Sequence, residues 1–77
     1  MAEELTEAQM RKKAEAYLKS QYGEDTVRMD IKNNGVKGGN GVLHVDITVS
    51  IGGAHSDWFK WFTFKNGEVV SMRWQMQ

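Results

Sequence analysis

Residues 43–74 read LHVDITVSIGGAHSDWFKWFTFKNGEVVSMRW, and this stretch decides the fold because it holds two glycine-containing turns. Gly52-Gly53 is typical of a two-residue β-hairpin turn between two segments of high β-propensity. Such a turn sets the cross-strand pairs Ile51 with Ala54, Ile47 with Trp58 and Leu43 with Phe62. Because paired side chains share a face, the turn also predicts which residues point into the core.

The segment before this turn alternates between apolar and polar residues, which is typical of a half-buried strand. Its core-facing positions are Leu43, Val45, Ile47, Val49 and Ile51, and its outward positions include His44, Asp46, Thr48 and Ser50. The next segment has aromatic residues at odd and even positions, so its alternation is ambiguous. The register at Gly52-Gly53 resolves it: Trp58, Phe62 and Phe64 face the core, and Phe59 and Trp61 face outwards.

The second turn, at Lys65-Asn66-Gly67, is compatible with two registers. A three-residue turn with a glycine bulge pairs Phe62 with Val70, and we predict this form because the last strand then directs apolar residues inwards: Val70, Met72 and Trp74. A two-residue turn would put Phe62 and Phe64 on the face of the sheet opposite to Val70, Met72 and Trp74. It would also turn Lys60 towards solvent.

The first strand has an apolar face made of Val27, Met29 and Ile31. A two-residue turn at Gly38-Gly39 would set Ile31 opposite Asp46, on the wrong face. A one-residue bulge near Asn33-Asn34-Gly35 restores the alternation, and bulges of this kind curve a sheet.

A helix precedes the strands, and its two ends are marked. Its start is indicated by the capping-box spacing of Thr6 and Gln9 and by a hydrophobic staple of Leu5 and Met10. Gly23 is the residue expected to end it in the left-handed conformation. The body, Ala8–Tyr22, carries an apolar stripe at helical spacing: Met10, Ala14, Tyr17, Leu18 and Tyr22. We expect this stripe to pack on the sheet.

These elements predict an α+β fold in which one N-terminal helix packs on a curved four-stranded antiparallel sheet with β-bulges. The predicted strands are Thr26–Lys32, Val36 or Val42 to Ile51, Asp57–Lys65 and Glu68–Met76. Residues 1–77 make a single domain at this length. The topology resembles the cystatin arrangement and the sheet-and-helix half of an NTF2-like cone. No motif carries this resemblance, so it implies a fold and no activity.

The amino-acid composition limits the classes of partner that the protein is expected to bind. Ten basic and ten acidic residues cancel, which argues against nucleic acid or a membrane surface recognised by bulk electrostatics. There is no cysteine, so no disulfide or thiolate zinc site can form. The first residues are acidic without an apolar signal region, and no apolar run approaches the ~18 residues of a spanning helix. We therefore expect a cytoplasmic-type protein that needs no cofactor.

The outward positions form a candidate binding or dimerisation face, the outer-face cluster, which consists of Phe59, Trp61, Arg73, His44 and Asp46. The predicted register places His44 beside Trp61 and Ser71, and Asp46 beside Phe59 and Arg73. Exposed aromatic residues on a sheet often mark an interface, where Trp and Arg are frequent hot spots. The alternative is that these side chains only stabilise the sheet across its strands.

Lys60 is anomalous, because the register points it inwards between Trp58 and Phe62, and burying a lysine is costly. It could snorkel at the sheet margin, lie over an aromatic ring, or border an open hollow. The hollow would be a pocket lined by Lys60, Trp58, Met72 and Trp74.

Catalytic and metal-binding patterns are weak. His44-x-Asp46 and His55-x-Asp57 would suit zinc if they converged, and Ser71, His44 and Asp46 have the residue types of a triad. Nothing supplies an oxyanion hole, and alternating His and Asp residues on a strand are ordinarily solvated. We predict no catalytic residues and no metal.

The sequence thus predicts a non-enzymatic structural scaffold without intrinsic biochemical activity. Proline is absent where about four residues would be expected, and caps, turns and patterning agree with one another, which indicates a designed origin. The alternative is a small natural binding or inhibitor module, or a homodimerising domain, that uses the Phe59 and Trp61 face.

Overall fold

The structure, a computed structural model, describes residues 5–77. A helix and four strands follow one another: α1 (Glu7–Tyr22), β1 (Asp25–Asn34), β2 (Gly41–Ile51), β3 (Ala54–Lys65) and β4 (Glu68–Met76). The strands form one antiparallel sheet in the order β1-β2-β3-β4. The predicted α+β fold, with one helix on a curved sheet, is confirmed. Residues 1–4, on which part of the signal-peptide argument depends, lie outside the described residues.

Both ends of α1 have the predicted caps. The Thr6 hydroxyl accepts a hydrogen bond from the Gln9 amide at 3.1 Å, and the Gln9 side chain accepts one from the Thr6 amide at 2.9 Å. Gly23 adopts φ 67°, a left-handed conformation that glycine enters without a Cβ penalty. The buried positions of α1 are Met10, Ala14 and Leu18, and Leu5 packs against the same core.

The register of β2 and β3 is as predicted from Gly52-Gly53, with Ile51 opposite Ala54 and every later pair in step. Both glycines have positive φ. The inward residues of the two strands are buried: Leu43, Val45, Ile47, Val49, Phe62 and Phe64. The prediction of a core position for Ile51 is wrong, because Ile51 lies at the hairpin tip and is exposed.

The predicted three-residue turn between β3 and β4 is wrong. Asn66 and Gly67 form a two-residue turn, both with positive φ, and Lys65 pairs with Glu68. Asparagine tolerates the left-handed region, and such turns match the twist of the strands. The extra residue falls inside β4 instead: the register shifts between the pairs Phe64–Val69 and Thr63–Ser71, so Val70 is left over.

This bulge changes which residues of β4 face inwards. Val69 packs against the core, and Val70, which was predicted to face inwards, is exposed. Phe62 pairs with Met72 instead of Val70. Lys60 stays on the inner face because it pairs with the inward Val45 of β2, so the expectation that a two-residue turn would expose Lys60 is wrong.

Strand β1 contains two register shifts against β2, between Ile31 and Asn33 and between Thr26 and Arg28. The first restores the alternation as predicted, one residue earlier than Asn33-Asn34-Gly35. The second was not predicted, and it turns Val27 to solvent, so its expected core position is wrong. These bulges, with the one in β4, bend the sheet around α1.

The two loops at the same end of the sheet dock on each other. The Gly67 amide donates a hydrogen bond to the Gly39 carbonyl at 2.9 Å, and the Asn66 amide donates one to the Asn40 side chain at 3.1 Å. A Cβ on Gly39 would lie 2.6 Å from the Gly67 nitrogen, so only glycine permits this approach. The contact ties the β1–β2 hairpin to the β3–β4 hairpin.

Candidate functional site

A cavity of about 190 Å³ opens on the inner face of the sheet, beyond the end of the helix. α1 ends at Tyr22, and Tyr22 and Glu24, on either side of the helix-ending Gly23, both line this space. The residues that line it come from the end of α1, the residue before β1, β3 and β4: Tyr22, Glu24, Trp58, Lys60, Met72 and Trp74. Four of these, Trp58, Lys60, Met72 and Trp74, are the residues that the sequence placed around a hollow. We call this space the mouth cavity.

Lys60 lies at the floor of the mouth cavity. Its backbone pairs with Val45 on one side and Trp74 on the other, and only 2% of the residue is exposed. Its ammonium nitrogen lies 2.7 Å from a carboxylate oxygen of Glu24, which is itself buried. Because removing two charges from water costs several kcal/mol for each, this close geometry is needed for burial to be tolerated.

Two aromatic rings complete the surroundings of this ammonium group. The Lys60 nitrogen lies 5.7 Å from the centre of the Tyr22 ring and 5.6 Å from that of Trp58. These are cation–π distances. Of the three environments considered for Lys60, the structure combines the aromatic contact with the open hollow, and it buries the ammonium group instead of letting it snorkel.

Glu24 and Tyr22 belong to this site but were not predicted from the sequence. Glu24 follows directly after the helix-ending Gly23, and its side chain reaches Lys60 across 36 positions of sequence. The available signal was the buried lysine itself, which requires an acidic partner. Choosing Glu24 among ten acidic residues needs the position of the helix end relative to β3.

The outer-face cluster is a packed ladder of side chains. His44 stacks on Trp61, with ring centres 4.7 Å apart and an angle of 10° between the planes. The Arg73 guanidinium lies 5.5 Å from the centre of the Trp61 ring, and Phe59 meets His44 edge-on at 6.2 Å. Trp61 and Phe59 are therefore half-buried by their neighbours. The arrangement is typical of cross-strand stabilisation.

Two predicted neighbours on this face are wrong, because the bulge in β4 shifts the pairing of β4 with β3. Arg73 lies opposite Trp61 instead of Phe59, and Ser71 lies opposite Thr63, one row away from His44. The residues proposed for a triad are thus in different rows of the sheet. The imidazole Nε2 of His44 is buried and has no hydrogen-bond partner among the described residues, so neither Ser71 nor Asp46 is bonded to it.

Asp46 belongs to a polar network on the same face. Its carboxylate accepts hydrogen bonds from the Gln77 amide and, at 3.4 Å, from Arg28. The hydrogen bond from Gln77 lowers the pKa of Asp46 from its usual value; desolvation opposes it, and the positive charge of Arg28 adds to the lowering. The carboxylate therefore stays ionised in the folded protein at neutral pH.

The two His-x-Asp pairs do not converge. His55 pairs with Ser50, six positions along β2 from His44, which corresponds to about 20 Å of strand. Within residues 5–77, no three His, Cys, Asp or Glu side chains are grouped so that they could hold a metal ion. The same part of the chain contains no helix long and apolar enough to cross a membrane.

No protein-family model, curated protein or solved structure matches this chain.

Proposed function

We propose that this protein is a non-enzymatic scaffold, in which the helix and the curved sheet form a frame and the polar side chains serve its stability. The observation that carries the proposal is the engagement of the chemically capable side chains with one another. His44 and Arg73 pack against Trp61, and Lys60 is bound to Glu24. Side chains occupied by neighbours in this way are poorly placed for a catalytic role.

The local signals of the sequence also serve the frame. The capping box and Gly23 define α1, and the positive-φ turns define the hairpins. Each such feature contributes on the order of 1 kcal/mol, and together they favour one fold over its alternatives. This agreement between local and tertiary structure supports the scaffold proposal. A designed origin stays a prediction.

The competing function is a binding or homodimerising module that uses the Phe59 and Trp61 face. A frequent interface residue type, Trp, stands beside Arg73 on this face. Because Trp61 is covered by His44 and Arg73, however, little of its ring is available to a partner without rearrangement.

Light scattering coupled to size-exclusion chromatography across a hundredfold dilution tests the two functions, with Trp61→Thr as the variant. The scaffold proposal predicts a monomer for both proteins, and a loss of about 1 kcal/mol of unfolding free energy for Trp61→Thr from the cross-strand and cation–π contacts. A dimer that Trp61→Thr converts to a folded monomer would establish the homodimerising alternative instead.

A further inference from the structure

The floor of the mouth cavity has unused hydrogen-bonding capacity. An ammonium group has three N–H donors, and Lys60 donates to Glu24 alone among the described residues. The second carboxylate oxygen of Glu24 accepts no hydrogen bond from that part of the chain. The Tyr22 and Trp58 rings attract the ammonium charge but offer no carbonyl or carboxylate acceptor. Both residues line the mouth cavity, so a donor and an acceptor border the same space, on side chains that are 3% and 11% exposed.

The walls of the cavity are flat and apolar. Trp58 and Trp74 stand on neighbouring strands of the sheet, and Tyr22 meets Trp74 edge-on with ring centres 6.3 Å apart. Trp74, which lines the cavity, is 56% exposed. Large apolar side chains at a cavity entrance gain from being covered by a planar molecule.

The volume limits the size of such a molecule. An apolar cavity of about 150 Å³ holds one benzene ring. The mouth cavity, at about 190 Å³, has room for one ring with a small substituent.

The charges of Lys60 and Glu24 determine which kind of ligand the cavity favours. Lys60 and Glu24 form a pair with no net charge, so a charged ligand would leave one charge uncompensated in a desolvated place. A neutral group that has an acceptor beside a donor satisfies both residues. A primary amide or a lactam edge has this arrangement.

We propose that the mouth cavity binds a neutral, planar amide or lactam: its carbonyl oxygen accepts a hydrogen bond from Lys60, its N–H donates to Glu24, and its ring lies against Trp58 and Trp74. This binding site goes beyond the scaffold function.

The test is isothermal titration of the whole protein with four molecules that share one ring: benzamide, benzoate, benzylammonium and toluene. Benzamide is expected to bind with a dissociation constant on the order of 1 mM, as a ligand of this size allows. The other three are expected to bind at least about tenfold more weakly, because each leaves a buried group unsatisfied. Benzoate or benzylammonium binding as tightly as benzamide would overturn the proposal, as would four equal affinities or no binding of benzamide.

Two variants locate the site. Trp74→Ala removes an exposed wall and leaves the Lys60–Glu24 pair in place, so the protein should fold while benzamide affinity falls about tenfold. Lys60→Met should abolish the preference for benzamide over toluene. Trp61→Thr, on the opposite face, is the matched control and should leave binding unchanged. Undiminished benzamide binding by Trp74→Ala would place the ligand elsewhere and overturn the proposal.

Discussion

Replacing Glu24 with glutamine should destabilise the protein far more than the loss of an ordinary surface charge. Glu24 is the only acidic partner of Lys60 within residues 5–77, and Lys60 is 2% exposed. Removing one member of a buried pair costs about 3–5 kcal/mol, because it leaves the other charge uncompensated. The contacts with Tyr22 and Trp58 remain, and the glutamine carbonyl still accepts a hydrogen bond, so we expect a loss of about 2–3 kcal/mol.

A double variant at Lys60 and Glu24 distinguishes the energy of their interaction from the cost of changing each residue alone. Methionine at position 60 has a similar length, carries no charge and lies beside the apolar Met72 and Trp58. Replacing both members leaves no uncompensated charge, and the glutamine amide keeps some access to water because the Glu24 side chain is 11% exposed, so Lys60→Met with Glu24→Gln should fall within about 1 kcal/mol of the unaltered protein. With a loss of about 2–3 kcal/mol for Lys60→Met alone, the coupling energy between the two positions should be about 3–5 kcal/mol.

Urea denaturation followed by circular dichroism measures these differences. For a small domain the slope is about 1 kcal/mol per molar urea, so Glu24→Gln should lower the midpoint by about 2–3 M. The matched control is the exposed pair of Lys19 and Asp25, where Asp25→Asn should cost less than about 0.5 kcal/mol. The reasoning is refuted if Glu24→Gln costs no more than Asp25→Asn, or if the double variant is as unstable as Glu24→Gln.

Three further measurements test the register, the loop contact and the charge network. Val69→Thr should cost about 1 kcal/mol in urea denaturation and Val70→Thr less than about 0.5, and the reverse order would contradict the bulge in β4. Gly39→Ala should cost at least about 2 kcal/mol more than Gly52→Ala, because both have positive φ but only Gly39 faces backbone at 2.6 Å; equal Tm losses would refute the loop contact. The pKa of Asp46 is lowered chiefly by the hydrogen bond from a glutamine amide, so its stabilisation is present above the unfolded pKa and disappears as pH falls below about 4. Acid titration of Asp46→Asn should therefore show a smaller loss of stability between pH 5 and 2 than the unaltered protein, and parallel curves would exclude this contribution.

The turn between β3 and β4 shows how far alternation determines a register. Side chains on a strand repeat every two residues, so the apolar pattern specifies the pairing only to within a shift of two. The predicted turn and the observed one with its bulge both direct Met72 inwards, and they differ by such a shift in the partner of Phe62. Which one forms depends on the preference of Asn66 for positive φ and on the docking of this loop against Gly39.

Some residues of the mouth cavity are positioned by local sequence patterns, and others only by contacts between elements distant in sequence. Three of its strand residues, Trp58, Lys60 and Met72, face inwards because of the hairpin register and the alternation along the strands. Glu24 and Tyr22 join them only because the helix ends at this point above the sheet. No spacing in the sequence relates a helix terminus to a residue 36 positions later.

The sequence by itself determined the helix and its caps, the Gly52-Gly53 hairpin and the inward face of β2, because these depend on hydrogen bonds and periodicities within a few residues. Only the tertiary structure decided where the bulges fall, which side chains of the outer face meet, and that Lys60 is neutralised by Glu24. Alternative bulge positions can direct the same side chains inwards, and contacts between loops then favour one of them. A buried charge meets its partner only through the packing of elements that are distant in sequence.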